Sequence, residues 1–404
     1  MIQASRIAAD IEAIASQSEV APAVGYSRPT FSLEWAAARD YVIAEAEKIG
    51  CAIRIDAAGN VHARPKQYSW QESLWLSGSH IDSVPTGGKY DGVVGIVAPL
   101  EVLRANPAAP LELIIFAEEE GTTFNLGMLG SRAWVGTLSA QQLAEVRNKH
   151  GQNYWQAGAN YGASADRLAD DIFNSAPYRG LIELHVEQGL AMWKQDQPVA
   201  VVNAINGRRQ YFVTLTGIPN HAGSTQMADR NDALVGAAEC CVVLEQLGLE
   251  LNRELHHTVV TVGRLNVEPN GINVIPGRVR FVIDFRARTD AMLVQGDHRI
   301  KQLVSQIASR RGLPLELDAS EALPAMPLNE SICGLARAAA AKHGIALPTV
   351  ASGALHDAAI LAPHLPTAMI FIASRDGISH NPAEYSRIED IAVATELLTE
   401  MVTA

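Results

Sequence analysis

Four short segments carry residue types that bind divalent cations and move protons. They are GSHIDSVPTGGKYDG, with His80, Asp82 and Asp91; FAEEEG, with Glu118, Glu119 and Glu120; ELHVEQG, with His185; and GISHNPAEYS, with His380. Each follows an apolar run with the length and composition of a buried strand, at 74–76, 113–116, 181–184 and 368–373. Ligands of open α/β sheets bind in the crevice beyond the carboxyl ends of the strands. One histidine near a strand end would mean little. Four segments in the same relation predict that His80, Asp91, Glu120, His185 and His380 meet at one sheet edge.

Spacing refines the chemistry. His80 and Asp82 are two apart, so in an extended stretch both point the same way. That suits a ligating histidine whose second ring nitrogen is held by a carboxylate. Asp91 follows a glycine-rich loop and is expected to open a helix, where it could cap the first turn and still bridge two ions with its carboxylate. Three carboxylates closing an apolar strand call for cations nearby. Alternation along the strand makes neighbouring glutamates diverge, so one can bind metal while the next faces the attacking water; spacing alone leaves open which does which. Mixed imidazole and carboxylate donors suit Zn, Mn, Co or Ni rather than Mg or Ca. Two such ions about 3.5–4 Å apart polarise a carbonyl and help deprotonate a shared water.

The elements that must position these groups belong to two domains, the expectation for a chain of 404 residues. Up to about residue 206, short apolar runs alternate with longer helical patterns, the signature of a layered α/β domain. The texture then changes. A strand with Tyr211, Val213 and Leu215 on one face leads to a helix over 231–247 and a strand over 258–265. An alternating strand over 278–288, a helix over 290–310 and a last strand over 313–317 follow. The order β-α-β-β-α-β is that of a ferredoxin-like unit. The reading is a catalytic domain over 1–207 and 325–404, interrupted by an inserted α+β domain over 208–324.

Composition excludes several classes. A net charge of −12 offers no electrostatic footprint for nucleic acid or an anionic membrane. No apolar run approaches the ~18 residues needed to span a bilayer. The N-terminus reads as an amphipathic helix rather than a signal peptide. Four scattered cysteines, Cys51, Cys240, Cys241 and Cys333, read as reduced thiols of a cytoplasmic protein. An anionic substrate therefore needs a local cationic pocket.

Taken together, these motifs resemble the hydantoinase/carbamoylase branch of the di-metal aminoacylase and carboxypeptidase superfamily, over nearly the whole chain. The resemblance implies a di-metal exopeptidase-like α/β catalytic domain with an inserted ferredoxin-like lid and dimerisation domain, hence a homodimer. It implies two divalent ions per subunit: His80 and His185 bind one ion each, Asp91 bridges, and Glu120 and His380 complete the set of ligands around the second ion. Glu119 resembles the general base, with Asp82 beside it in the catalytic set. His185 followed by Glu187, Gln188 and Gly189 resembles the carbamoylase branch, whereas peptidase-like branches tend to place a carboxylate at the histidine.

The same likeness extends to the substrate. His221, in Asn220-His221-Ala222-Gly223, corresponds to the histidine that reaches the substrate's carbonyl oxygen from the partner subunit. Asn273 and Arg286 look like the residues that grip an α-carboxylate, and a guanidinium fork matches that group. Gln188, Gln210, Gly353, Ala354 and His356 complete the expected substrate contacts. The implied reaction is hydrolysis of the carbamoyl C–N bond of N-carbamoyl-L-amino acids to amino acid, carbon dioxide and ammonia. Water attacks the ureido carbon, Glu119 shuttles the proton and His221 holds the oxyanion. Allantoate or a β-ureido acid is the nearest alternative, a di-metal peptidase or acylase a more remote one. Two positions depart from the pattern. Thr123 stands where the family usually has Arg, and Gln210 where carbamoylases commonly carry Trp and allantoate enzymes Arg. Both bear on the substrate's side chain.

Overall fold

The apolar runs become strands, and the amphipathic stretches between them become the helices that cover the sheet. The computed structural model describes residues 1–255, 257–320 and 322–404. In chain order its strands are β1 (Cys51–Ile55), β2 (Val61–Pro65), β3 (Leu74–His80), β4 (Leu111–Phe116), β5 (Tyr178–Val186), β6 (Val199–Ile205), β7 (Gly207–Thr216), β8 (Val259–Glu268), β9 (Arg278–Ala287), β10 (Leu315–Ala319), β11 (Met326–Pro327), β12 (Thr349–Ser352) and β13 (Thr367–Ile372). The chain divides into two compact units. One comprises Met1–Asn203, Leu328–Val350 and Leu355–Ala404; the other comprises Ala204–Pro327 and Ala351–Ala354.

The first unit is built on a mixed sheet in the order β1-β2-β4-β3-β5-β13-β6. Its centre, β4-β3-β5-β13, is parallel. Strands β3, β4 and β13 are buried along their whole length, as strands covered on both faces should be. Helices Ala4–Ala15, Val94–Ala105 and Ile388–Thr403 supply Ile7, Ile96 and Leu398 to the same core as Leu113, Ile182 and Ile370. Register matters for the site. His80 lies opposite Phe116, and His185 lies opposite Phe371, so the carboxyl ends of these strands finish nearly level.

The second unit has the order β-α-β-β-α-β in sequence and β10-β7-β9-β8 in space, antiparallel throughout. Helices Ala233–Leu255 and Asp290–Arg310 pack on one face, where Tyr211, Val213, Phe281, Phe285 and Ile300 form a separate core. The other face carries the alternate residues, among them Gln210, Asp284 and Arg286.

Several boundaries differ from the sequence expectation for local reasons. The last strand starts at Leu315, not residue 313, because Gly312 adopts a left-handed φ of 64° and Leu313 N–H closes the preceding helix on Ala308 O at 2.9 Å. A register shift between Val262 and Arg264 leaves Gly263 as an extra residue and lets β8 run on to Glu268. Asp91 does not cap a helix. The helix begins at Val94 with Val93 as its cap residue, which frees the Asp91 carboxylate for other partners. Among the described residues no helix is long and apolar enough to cross a membrane.

Candidate metal centre

His80 is the last residue of β3 and His185 the penultimate residue of β5, so both rings leave the sheet at the same rim. Each is oriented by its own segment. His80 Nδ1 lies 2.9 Å from Asp82 O, and His185 Nδ1 lies 2.9 Å from Val186 O. A carbonyl only accepts, so both Nδ1 atoms carry a proton and Nε2 is the nitrogen that each ring turns toward Asp91. The carboxylate expected to hold the His80 ring does something else. Asp82 Oδ1 is 3.7 Å from Nδ1, and the Asp82 carboxylate accepts from the N–H groups of Glu119 at 3.3 Å and Glu120 at 3.1 Å. Two main-chain donors outcompete one ring nitrogen.

Asp91 stands at the centre. Oδ1 lies 3.1 Å from His185 Nε2 and 3.7 Å from His80 Nε2, while Oδ2 lies 3.1 Å from His380 Nε2. Glu120 Oε2 is 3.7 Å from His380 Nε2, and Glu119 Oε2 is 3.8 Å from His80 Nε2. Gln188 Nε2 donates to Asp91 Oδ2 at 2.8 Å. Room for this cluster depends on Gly92, whose φ is +68° and whose added Cβ would stand 2.5 Å from the His80 ring.

The glutamate run does not behave as an extension of β4. Glu118 adopts a left-handed φ of 57° and turns its carboxylate inward, where it accepts from the N–H groups of Thr123 at 2.8 Å and Phe124 at 2.9 Å. This turn, rather than strand alternation, separates the three side chains. Thr123, one of the departing positions, thus contributes its main chain to the glutamate turn.

The electrostatics are those of a site short of positive charge. Burial, reinforced by Glu120 and Asp357, holds the Glu119 carboxyl well above its usual range. Burial and the charge of Asp91 push Glu120 up to about 7. Burial opposes ionisation of Asp91 too, but the facing rings of His185, His380 and His80 overcome it and hold this carboxyl well below its usual range. Burial works against a charge on His80, and Glu119, Asp91 and Asp82 outweigh it.

Two groups absent from the sequence reading are Glu384 and Arg28. Glu384, 3% exposed, accepts from the N–H groups of Tyr90 at 2.8 Å and Asp91 at 3.1 Å, and from Ser379 Oγ at 2.7 Å. Arg28 is fully buried, donates from Nε to Ile81 O at 2.9 Å, and feels the charges of Asp82 and Glu384. His356 packs edge-on against the His185 ring, with centroids 4.4 Å apart. Burial and the nearby His185 hold it neutral, well below the usual histidine range.

The remaining candidate substrate residues lie in the second unit. Arg286 donates from Nε to Asp284 Oδ1 at 2.8 Å and from Nη1 to Gly353 O at 2.9 Å. Gln210 donates to the other Asp284 oxygen at 3.0 Å. They border a cavity of about 670 Å³, with Phe212, Val259 and Thr261. Ala354 N–H donates to Ser352 Oγ at 3.2 Å. The segments of His221 and Asn273 lie side by side, Ala222 N–H donating to Asn273 O at 2.9 Å. His221 Nδ1 accepts from the N–H groups of Gly223 and Ser224, both at 3.1 Å. The proton is therefore on Nε2, which makes the exposed end of this ring a donor.

The donor chemistry fits divalent cations. His80 and His185, expected to bind one ion each, gather instead with Asp91 in one group, and Asp91, Glu120 and His380 form another, the donor atoms of each lying within 4.8 Å of one another. Imidazole Nε2 atoms and carboxylate oxygens gathered about Asp91 in an acid-rich pocket, buried on the His80 and His185 side, are what such ions require.

Comparison with known proteins agrees. The model of peptidase family M20/M25/M40 matches residues 76–404. An N-carbamoyl-L-amino acid amidohydrolase of Geobacillus stearothermophilus is 36% identical over 387 residues, covering 94% of this chain and 93% of that protein. An allantoate amidohydrolase of Bacillus subtilis (strain 168) is 33% identical over 388 residues, covering 94% and 92%. The crystal structure of a hydantoinase/carbamoylase family amidase from Burkholderia multivorans superposes with a TM-score of 0.90 at 31% identity, over 99% of this chain and 97% of that one. Family and donor set together point to divalent metal binding. The chain belongs to peptidase family M20/M25/M40, alongside its hydantoinase/carbamoylase amidases, and it is a hydrolase.

Proposed function

We propose that this hydrolase cleaves the carbamoyl C–N bond of N-carbamoyl-L-amino acids, giving the amino acid, carbon dioxide and ammonia. The observation that carries the reading is Asp91 standing between His185 Nε2 and His380 Nε2 at 3.1 Å on either side, with Glu119 beside His80. Its relatives add substrate class, since they are named for N-carbamoyl-L-amino acids and for allantoate. His80, His185 and Asp91 would hold one ion and Asp91, Glu120 and His380 a second, of the Zn, Mn, Co or Ni class, and such a pair supplies Lewis acidity toward a carbonyl and toward water.

The chain's own groups do the rest. Glu119 takes a proton from the attacking water and returns it to the leaving nitrogen. The Asp82 carboxylate fixes the turn that presents Glu119 and Glu120. His221, with its proton on Nε2, donates to the carbonyl oxygen as charge develops there. Arg286 and Asn273 take the α-carboxylate, and Gln188, Gln210, Gly353 and Ala354 border the substrate, with His356 beside His185.

A homodimer through the second unit, with His221 acting in trans, is part of this reading. Val235, Val242 and Leu249 repeat every seven residues along helix Ala233–Leu255 and are 46%, 60% and 54% exposed, an apolar stripe suited to a second copy. The free thiols of Cys51, Cys240, Cys241 and Cys333 are in keeping with a cytoplasmic enzyme.

Gln210, Thr261 and Asp284 make one wall of the cavity polar, which favours allantoate as the second reading. Paired assays on N-carbamoyl-methionine and allantoate with Mn²⁺ added separate the two. Turnover of N-acyl amino acids or dipeptides, with neither ureido substrate cleaved, would show the assignment to be wrong.

A further inference from the structure

We propose that Glu384 is a positioning residue that carries the Asp91 turn and the His380 loop as one piece, so that the ion on the His380 side depends on it more than the ion on the His185 side does. The proposal rests on the reading of Asp91 as shared between two ions.

The two halves of the centre are supported differently. His80 and His185 project from strand ends, and each has its Nδ1 fixed at 2.9 Å by a main-chain carbonyl of its own segment. Their side chains are 2% and 1% exposed. His380 sits in a loop at a left-handed φ of 52°, and its side chain is 48% exposed. Glu384 ties that loop to the centre, where Gln188 Nε2 also lies 3.4 Å from Ser379 Oγ and 3.3 Å from His380 Nε2. Oε2 accepts from Tyr90 N–H and Asp91 N–H, and Oε1 accepts from Ser379 Oγ, the residue before His380. Ser379 Oγ is also 3.3 Å from Asp91 Oδ2. One buried carboxylate therefore holds the main chain of the bridging aspartate and the neighbour of the loop histidine. The chain at Gly88 passes directly over it: an added Cβ there would stand 2.0 Å from Oε2 and 2.3 Å from Cδ.

Groups that orient ligands without touching the metal typically change metal affinity by about 10–100-fold. Here the effect falls more heavily on one site of the two, because Asp91 serves both but only the His380 side also relies on the loop. The test is calorimetric titration of apoprotein with Zn²⁺, with elemental analysis after dialysis. Wild type is expected to take up two ions per chain. Glu384→Ala is expected to bind the ion on the His380 side about 10–100-fold more weakly, with a smaller loss at the other site. Glu384→Gln, whose amide oxygen accepts the same two N–H groups, should restore most of the loss. In the alanine variant kcat should recover at high added metal with KM unchanged, which a general loss of structure would not give.

Equal weakening of both sites, or no weakening of either, overturns the proposal. If Glu384→Ala does not fold, Ser379→Ala decides, since it cuts the link to the loop and leaves the Tyr90 and Asp91 N–H groups on Glu384: selective loss of the second ion supports the proposal and two unaltered sites overturn it. A wild type that binds fewer than two ions overturns the two-ion reading, and the proposal with it. Two ions in wild type and an unaltered Glu384→Ala overturn the proposal alone.

Discussion

Asp82 secures His80 through its main-chain carbonyl, 2.9 Å from Nδ1, while its carboxylate stands 3.7 Å from that nitrogen. The carboxylate is engaged instead by the N–H groups of Glu119 and Glu120. Backbone and side chain of one residue therefore do separable jobs. Asp82→Ala should leave the His80 Nδ1 proton in place, followed by ¹⁵N imidazole resonances, while kcat falls by roughly 10–100-fold as the glutamate turn loosens. A ring that changes tautomer in this variant would return the orienting role to the carboxylate.

Glu119 and Glu120 are adjacent but should respond differently. Glu119→Gln removes the proton shuttle and is expected to lower kcat by about 10²–10⁴-fold with metal content unchanged. Glu120→Gln should lower metal content first. Elemental analysis beside steady-state kinetics distinguishes them, and equal metal loss in both variants would contradict the assignment.

Arg286 is held by Asp284 and the carbonyl of Gly353, which leaves part of its fork for a ligand. A hydrogen bond to a charged group is worth about 1.5–3 kcal/mol. Arg286→Met should therefore reduce kcat/KM by roughly 10–150-fold, chiefly through KM, with kcat at saturation little altered. A loss carried wholly by kcat would place Arg286 elsewhere in the reaction.

A second charged cluster gives a pH signature in stability. His62 is fully buried, with Nδ1 2.8 Å from Glu112 Oε1 and Nε2 3.3 Å from Asp56 Oδ2; Arg64 Nε donates to the other Glu112 oxygen at 2.5 Å. Burial disfavours the imidazolium, but the bonds to Asp56 and Glu112 outweigh it and raise the His62 pKa. A histidine raised on folding binds its proton more tightly in the native state. Its stabilisation is full below the unfolded value of about 6.5 and is lost as pH rises through the folded value. The urea midpoint should fall on the alkaline side, and His62→Gln should flatten that slope. A slope unchanged in the variant would exclude His62 as its source.

The catalytic fold and the donor cluster were largely legible in the sequence, because both rest on local patterns. An apolar run ending in Gly, Ser, His or Glu marks a buried strand and its loop, and four such runs pointed to one rim. What escaped was set by long-range contact or by backbone conformation. Glu384 lies 294 positions from Tyr90, and nothing in NPAEYS announces that pairing. The left-handed turn at Glu118 broke an alternation that the three carboxylates suggested. The bond from Gln210 to Asp284 follows from the pairing of β7 with β9, in which the two residues stand directly opposite. Turn geometry and register have weak signatures in residue type, whereas burial has a strong one.

The second unit begins and ends on neighbouring residues: Pro327 pairs with Ala204 and Met326 with Ile205, and just outside them Leu328 N–H donates to Asn203 O at 2.9 Å. That closure bears on how the chain folds. Setting β13 beside β5, with Phe371 opposite His185, spans a long stretch of sequence. Closing a flexible loop of well over a hundred residues costs about 4 kcal/mol of chain entropy. An insert that has already folded around Phe281, Phe285 and Ile300 shortens that loop to its two flanks before β13 arrives. The inserted core thereby acts as an intramolecular clasp. Weakening it should slow the registration of a strand to which it contributes no residue.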